Sequence, residues 1–305
     1  MSSAISLSTL STGIFHARSA LAVGADPQIE KALFDALDQR EWSIHHAADN
    51  SAALAFVKRK PFELIVTSEK TSGKEDIEML RKIRRMHPHT RVIVLTDEST
   101  PADVIASMRE RAFSYFSRPF STDALKDMIQ HAAEAPCWDD GIEIISATPE
   151  WIRLFAACDV TTADRLVQFF DEVSDLQEPE KTAVATAFRE MLMNAIEYGG
   201  GLDPRQYVEI SYVRGQEIVG CRIVDPGKGF HPDSVPHAAV SNPPDAPLHH
   251  HEFREAQGLR PGGFGILLAR QMLDQVIYGE NGNEVLLIKY LKKRPNPDSE
   301  DQVST

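Results

Sequence analysis

The sequence predicts two α/β domains: a doubly wound parallel sheet of five strands, followed by a two-layer α/β sandwich. Between Ser19 and Glu134, short apolar runs alternate with helical patterns, which is the order of βα units in a parallel sheet. From Ile142 to Leu291, helical patterns precede strands that pair as hairpins. A chain of 305 residues, 42% of them apolar, can bury a core in each domain.

The first domain is read as five βα units. We predict its strands near 20–24, 43–47, 63–67, 92–96 and 113–116, and its helices near 27–39, 50–58, 75–87, 101–110 and 121–133. Pro27 and Pro101 fall at helix starts, where a missing backbone N–H is not needed. The domain is expected to span 19–134, after an N-terminal tail at 1–18.

The second domain is expected to span 142–291, after a short linker at 135–141. We predict a strand at 142–147, helices near 150–158, 162–174 and 179–198, and hairpins turned at Gly215-Gln216 and Asn281-Gly282. The stretch 231–261 is rich in Pro, His and Ala and predicts a long loop. The polar tail at 292–305 predicts disorder.

The composition argues against several classes of protein. A formal net charge of −13 is unfavourable for a nucleic-acid groove, where phosphates require clustered Lys and Arg. No apolar run is long enough to cross a bilayer, and residues 1–15 lack the basic start and apolar core of a secretion signal. We therefore expect a cytoplasmic protein. Cys137, Cys158 and Cys221 lack metal-binding spacing, which favours buried free thiols.

A polar pair on one predicted helix carries the first sign of chemistry. Glu190 and Asn194 are four residues apart, so they lie one turn apart on the same helix face. The amide oxygen of Asn194 is a suitable neutral ligand for Mg²⁺, and Glu190 could accept a proton from an attacking hydroxyl or water. A solvated helix edge would show the same pattern.

A strand that runs into a glycine turn suggests a binding site for a planar ligand. The β-branched run at 217–225 ends at Asp225, and Gly227 and Gly229 follow in the turn. The two glycines allow a close backbone approach, and Asp225 could accept a hydrogen bond from an exocyclic amine such as that of adenine. An ordinary turn is the alternative.

Three glycines stand directly before the last predicted helix. Gly262, Gly263 and Gly265 precede an apolar helical pattern at 266–273. Glycines that open a helix expose backbone N–H groups at the positive end of its dipole, where phosphates bind. Together with the preceding two motifs, in this order, they predict a nucleotide site.

The segment 142–290 resembles a histidine-kinase-like (GHKL) ATPase domain of the Bergerat fold, of the type found in bacterial anti-sigma-factor serine kinases. The resemblance implies ATP and Mg²⁺ as cofactors, with Glu190 as general base and Asn194 as the Mg²⁺ ligand. It further implies nucleotide-binding roles for Asp225, Gly227, Gly229, Gly262, Gly263 and Gly265. The loop at 231–261 stands where this family has its ATP lid.

The first domain resembles a response-regulator receiver domain over its whole length. The positions of that family's active site are occupied here by Gly24, Ala25, Asp26, Ser68, Thr96 and Arg118. Gly24 and Ala25 replace the acidic metal-binding pair, Ser68 replaces the phosphoacceptor aspartate, and Arg118 replaces a lysine. An acyl phosphate requires a carboxylate nucleophile and a metal. We therefore predict a pseudo-receiver, which acts as a docking or dimerisation surface around Tyr115 and the last helix.

Four candidate functions follow from these resemblances, and two of them are disfavoured. The first is a protein serine/threonine kinase that acts on an antagonist or a sigma-factor-like regulator, with regulation by the receiver-like half; the second is an ATP-dependent conformational switch or weak ATPase. A histidine kinase is disfavoured, because no helical hairpin bearing a phosphoacceptor histidine precedes the ATPase-like half. A module with a dead nucleotide site is hard to reconcile with the complete motifs. Self-association into a homodimer is left open.

Overall fold

A parallel five-stranded sheet forms the N-terminal domain in the computed structural model, which describes residues 18–24, 26–68, 70–134, 141–229 and 264–291. Its strands are β1 (Arg18–Val23), β2 (Trp42–Ala47), β3 (Leu64–Val66), β4 (Arg91–Thr96) and β5 (Ser114–Ser117). Its helices are α1 (Pro27–Ala36), α2 (Asn50–Val57), α3 (Gly73–Met86), α4 (Pro101–Arg109) and α5 (Thr122–Glu134). The strand order β2-β1-β3-β4-β5 confirms the predicted doubly wound topology.

Local side chains explain where the helices of this domain begin. The Asp26 carboxylate accepts hydrogen bonds from the backbone amides of Gln28 (2.7 Å) and Ile29 (3.2 Å) at the start of α1. At the start of α4, Thr100 and Asp103 bond to each other's backbone amides in a capping box. Pro27 and Pro101 occupy the first turns of these two helices, as predicted.

The C-terminal domain is an antiparallel six-stranded sheet with helices packed against it, in the strand order β10-β11-β9-β8-β7-β6. Its strands are β6 (Ile142–Thr148), β7 (Trp151–Ala157), β8 (Tyr207–Arg214), β9 (Ile218–Val224), β10 (Gln275–Tyr278) and β11 (Glu284–Tyr290). Its helices are α6 (Val160–Val173), α7 (Glu180–Asn194), which continues as a π-helical turn (Ala195–Gly199), and α8 (Gly265–Met272). The predicted two-layer α/β sandwich is thereby confirmed.

The predicted helix at 150–158 is wrong, because this segment is strand β7. Its burial alternates, with Ile152 and Leu154 buried and Trp151 and Arg153 exposed. That period of two belongs to a strand with one face on the core. Pairing with β6 on one side and β8 on the other provides the long-range hydrogen bonds that favour the extended form.

Several sequence predictions lie outside the described residues. They concern the tails at 1–17 and 292–305, the linker at 135–140, the loop at 231–261 and Cys137. Within the described ranges, Cys158 and Cys221 are buried free thiols, as predicted. The same ranges contain no helix that is both long and apolar enough to span a bilayer, and no group of three or more side chains suited to binding a metal ion.

The two domains share one buried apolar cluster. It contains Val104 and Met108 of α4 and Tyr115 of β5, together with Leu166 and Phe169 of α6. The face around Tyr115, where we expected a partner to dock, is therefore covered by a helix of the same chain. A second cluster lies on the other face of the parallel sheet and is confined to the N-terminal domain.

A buried carboxylate lies near the start of α3. Asp76 is fully buried, and its two oxygens accept hydrogen bonds from Asn50 Nδ2 (2.7 Å) and Thr71 Oγ1 (2.9 Å). Burial raises the pKa of Asp76 to about 6, although its hydrogen bonds act in the opposite direction. Because the folded state holds the proton more tightly than the unfolded state, ionisation of Asp76 opposes folding.

Replacing Asp76 by Asn should therefore change the pH dependence of stability. In the unsubstituted protein, the contribution of Asp76 is most favourable below pH 3.8 and declines as the pH rises through about 6. The shift corresponds to a loss of about 3 kcal/mol, which Asp76→Asn should lack. Urea unfolding of both proteins at several pH values measures this difference. Parallel pH profiles of the two proteins would contradict it.

Candidate nucleotide site

Helix α7 presents the predicted polar pair toward the rest of the site. Its apolar residues, including Phe188, Met191 and Leu192, are buried against the sheet and α6. Glu190 and Asn194 lie one helical turn apart and are half-buried. The apolar face thus sets the rotation of the helix, and the rotation places the carboxylate and the amide side by side.

The start of helix α8 lies directly against this pair. A Cβ atom on Gly265 would stand 2.7 Å from Glu190 Oε2 and 3.5 Å from Asn194 Nδ2. Gly265 is buried, and a side chain at this position would require Glu190 to move. The first turn of α8, with its exposed N–H groups and positive dipole end, therefore faces the side chains of Glu190 and Asn194.

The end of α7 lies against the turn that follows β9. After Asn194 the helix widens into a π-helical turn, a feature often found at functional sites. A Cβ atom on Gly199, the last residue of that turn, would stand 2.3 Å from Asp225 Cγ. A Cβ atom on Gly227 would stand 2.9 Å from the Cα of Gly199. The two glycines let the backbone of α7 and the carboxylate of Asp225 come into contact.

Asp225 is held from two sides. The amide of Gly227 donates to Asp225 Oδ1 at 2.8 Å, and Asn283 bonds with both backbone groups of Asp225, at 2.9 and 3.2 Å. Burial raises the pKa of Asp225, and the bond from Gly227 opposes that shift. Gly229, with φ of 78°, approaches the carbonyl of Asn281 in the β10–β11 turn. The β10–β11 turn therefore supports the segment from Asp225 to Gly229.

The structure brings most of the predicted nucleotide residues into two adjoining groups. Glu190, Asn194 and Gly265 form one, and Asp225 with Gly227 forms the other. Gly262 and Gly263 lie outside the described residues. Sequence reasoning missed two supporting residues, Gly199 and Asn283. Gly199 was read only as a helix end and Asn283 only as part of a hairpin, because their partners are distant in sequence.

The receiver-like pocket of the N-terminal domain is filled by its own residues. The Ser68 side chain is fully buried, and its hydroxyl has no hydrogen-bond partner among the described residues. A Cβ atom on Gly24 would stand 2.1 Å from Ser68 Oγ, and the φ of Gly24 is 76°. A carboxylate at position 24 therefore has no room beside Ser68 in this arrangement.

The remaining positions of that pocket have other partners. Asp26 caps α1, as described above, and Thr96 Oγ1 donates to the carbonyl of Glu98 at 2.9 Å. Arg118 donates to Gln28 Oε1 at 3.2 Å and lies 3.5 Å from the carboxylate of Asp97. Ala25 lies outside the described residues. The side chains that could bind a phosphoryl group are thus engaged in contacts with the protein itself.

Comparisons with known proteins find two domain families in this chain. The family model described as histidine kinase-like ATPase domain matches residues 156–289, and that of the response regulator receiver domain matches residues 20–130. The chain joins a receiver domain to a histidine kinase-like ATPase domain. Both resemblances found in the sequence are confirmed at the level of these two domain families. Domains of these two families belong to bacterial two-component signalling, and the ATPase family implies ATP binding.

Several curated transcriptional regulators are similar to part of this chain. Over 138 residues the chain is 26% identical to the transcriptional regulatory protein GlrR of Escherichia coli, a match that covers 44% of this chain and 31% of GlrR. Over 103 residues it is 27% identical to the probable transcriptional regulatory protein TcrX of Mycobacterium tuberculosis, which covers 34% of this chain and 44% of TcrX. The matches thus span less than half the length of these relatives.

Solved structures of response regulators are similar to somewhat more than a third of this chain. A response regulator from Thermotoga maritima is 23% identical, with 39% of this chain and 99% of that chain covered and a TM-score of 0.34. The chemotaxis response regulator CheY4 of Vibrio cholerae is 21% identical, with 38% and 98% covered and a TM-score of 0.33.

Substituting Gly199 by Ala should disrupt the nucleotide site while leaving the fold intact. The new methyl group would collide with the Asp225 carboxylate and displace it, so we expect ATP to bind about tenfold more weakly or worse. Gly220→Ala is the matched control, because the nearest atom to its new Cβ is a carbonyl oxygen 3.9 Å away. Calorimetric titration with ATP·Mg²⁺ measures both variants. Equal affinities would show that Gly199 does not support the site.

Proposed function

We propose that this protein binds ATP·Mg²⁺ in its ATPase domain and phosphorylates a serine or threonine of a partner protein. The observation that carries the proposal is the meeting of three separate motifs: Glu190 and Asn194 on α7, Gly265 at the start of α8, and Asp225 after β9. A structural role alone would not require a carboxylate, an amide and a helix start to converge on glycine contacts.

The residues present fit a nucleotide with a metal ion. Gly227 and Gly265 permit the close contacts that bring Asp225, Glu190 and Asn194 to the site. Asp225 uses Oδ1 for the amide of Gly227, which leaves Oδ2 available for the amine of adenine. Asn194 would hold Mg²⁺ through its amide oxygen, and the first turn of α8 would bind the phosphates.

Glu190 is the candidate general base. When bound, ATP·Mg²⁺ supplies the phosphoryl group, and most of the catalysis of such a transfer is positioning and charge neutralisation. Glu190, next to the start of α8, would accept the proton of the acceptor hydroxyl. The partner would be an antagonist protein or a sigma-factor-like regulator, as the resemblance to anti-sigma-factor kinases implies.

An ATP-dependent switch or weak ATPase is the second candidate. It is favoured by the shared core of the two domains, which lets the receiver domain sense the state of the ATPase domain directly. In that case Glu190 would activate water rather than a hydroxyl. Labelled ATP distinguishes the two functions. A kinase transfers the label to an added antagonist protein of the partner-switching type, whereas an ATPase releases it as inorganic phosphate.

Substitutions in α7 should separate nucleotide binding from chemistry. Asn194→Ala should abolish Mg²⁺-dependent ATP binding in calorimetry, because it removes the proposed metal ligand. Glu190→Gln should retain binding and reduce turnover by about 10²- to 10⁴-fold, because an amide cannot accept the proton. Outside α7, Asp225→Asn replaces the proposed acceptor of the adenine amine and should also lose ATP binding. Unchanged turnover in Glu190→Gln would exclude Glu190 as the base.

We further propose that the receiver domain is not phosphorylated by the aspartyl route. Ser68 is buried against Gly24, and neither residue can replace the carboxylates that such chemistry requires. Within this proposal the receiver domain spans 19–134 and the ATPase domain 142–291, joined by the linker at 135–141. The role of the receiver domain is then to contact other parts of the protein.

Treatment with acetyl phosphate and Mg²⁺ tests this second proposal. We expect the intact mass of the protein to stay unchanged, because no carboxylate occupies position 68. A receiver domain that has its aspartate serves as the positive control in the same reaction. A stable phosphoryl adduct on residues 19–134 would refute the proposal.

A further inference from the structure

The edge strand of the receiver sheet is covered by a helix of the ATPase domain. Within the described residues β5 pairs with β4 alone, so half of its backbone groups point away from the sheet. Side chains of α6 bond with these groups: Arg165 Nε with the Phe113 carbonyl (2.7 Å), Gln168 Nε2 with the Tyr115 carbonyl (3.1 Å) and Glu172 Oε1 with the Ser117 amide (3.0 Å). We call this contact the α6–β5 joint.

The two elements of the α6–β5 joint match in spacing. Positions 165, 168 and 172 lie on one face of a helix, and positions 113, 115 and 117 lie along one edge of a strand. The helical span is about 10 Å and the strand span about 13 Å, so each side chain reaches its own backbone group. The match fixes the register of α6 along β5.

Opposite charges stand at the two ends of the joint. Arg165 is 3% exposed and lies over the Phe113 ring at 4.8 Å. Glu172 accepts hydrogen bonds from both the amide and the hydroxyl of Ser117. Charges removed from water are unfavourable unless their hydrogen bonds are satisfied. Sliding of α6 along β5 would take Arg165 and Glu172 away from these backbone partners, so the contacts favour one docked register.

One helix layer separates this joint from the nucleotide site. The rings of Phe170 on α6 and Phe188 on α7 are in edge contact, with centroids 4.7 Å apart. Asp164 of α6 lies 3.6 Å from Arg189, the residue before Glu190, and 3.8 Å from His131 of the receiver domain. A movement of α6 therefore reaches the helix that carries Glu190.

At its other end, the joint meets the receiver pocket. Ser117, which is bonded by Glu172, directly precedes Arg118. Arg118 in turn contacts Gln28 and Asp97 around that pocket. The joint thus connects the pocket of one domain to helix α7 of the other through a continuous set of contacts.

We propose that the α6–β5 joint regulates the ATP site: docking of α6 on β5 holds α7 in its ATP-binding arrangement, and release of α6 weakens ATP binding. The proposal rests on the ATP binding proposed above. Because the two equilibria are linked, bound ATP must favour docking of α6 by the same factor by which docking raises the affinity for ATP. A receiver domain without phosphoryl chemistry would then act through the docking of α6.

The decisive experiment uses the full chain with Glu172→Ala, which removes the acceptor of both Ser117 bonds. We expect ATP·Mg²⁺ to bind this variant about fivefold more weakly or worse, with faster deuterium exchange of the amides in 113–117. Glu172→Gln, which retains an acceptor oxygen, should restore most of the affinity. Glu78→Ala is the control, because this acid of α3 is exposed and lies outside α6, β5 and α7.

The unsubstituted protein provides a second, independent test. Saturating ATP·Mg²⁺ should slow the exchange of the amides in 113–117. Unchanged exchange on ATP binding, or faster exchange in Glu172→Ala with unchanged ATP affinity, would overturn the coupling and leave the proposed function intact. Absence of ATP binding to the unsubstituted protein would instead overturn the proposed function. If Glu172→Ala does not fold, Gln168→Ala removes the bond to the Tyr115 carbonyl and a bond to Glu172 within α6, retains both Ser117 bonds, and should show a smaller loss of affinity.

Discussion

The candidate nucleotide site depends on close contacts at two glycines. α7 touches the turn after β9 at Gly199 and the start of α8 at Gly265, and at each place a Cβ atom would overlap a carboxylate. These contacts hold Glu190 and Asn194 next to the start of α8 and hold Asp225 at the end of α7. Because the site is assembled from three separated segments, its geometry is a property of the packed domain rather than of any one motif.

In the receiver pocket, two residues fit together closely without affecting the fold. With Ser68 in the place of the acceptor, its hydroxyl lies where a side chain at position 24 would begin, so Gly24 and Ser68 fit together. The five-stranded sheet and its caps are unaffected, since they depend on apolar packing and on residues such as Asp26. The fold of this domain therefore does not depend on the residues in the pocket.

The contact between the domains also covers the edge of the parallel sheet. An unprotected edge strand can pair with other chains, and proteins usually cover or charge it. Here α6 covers β5 with apolar residues and provides hydrogen-bonding side chains at the spacing of the strand. The same contact that protects the edge ties the receiver domain to the helix beside the nucleotide site.

The sequence by itself determined the order and type of most elements and the pairing of Glu190 with Asn194, because helix periodicity and capping are local properties. It was misleading at 150–158, where strand pairing with β6 and β8 outweighs local propensity. Only the tertiary structure decided the contact of Gly199 with Asp225 and the docking of α6 on β5. Both join residues more than 20 positions apart, and no local pattern records which distant partner a backbone group will meet.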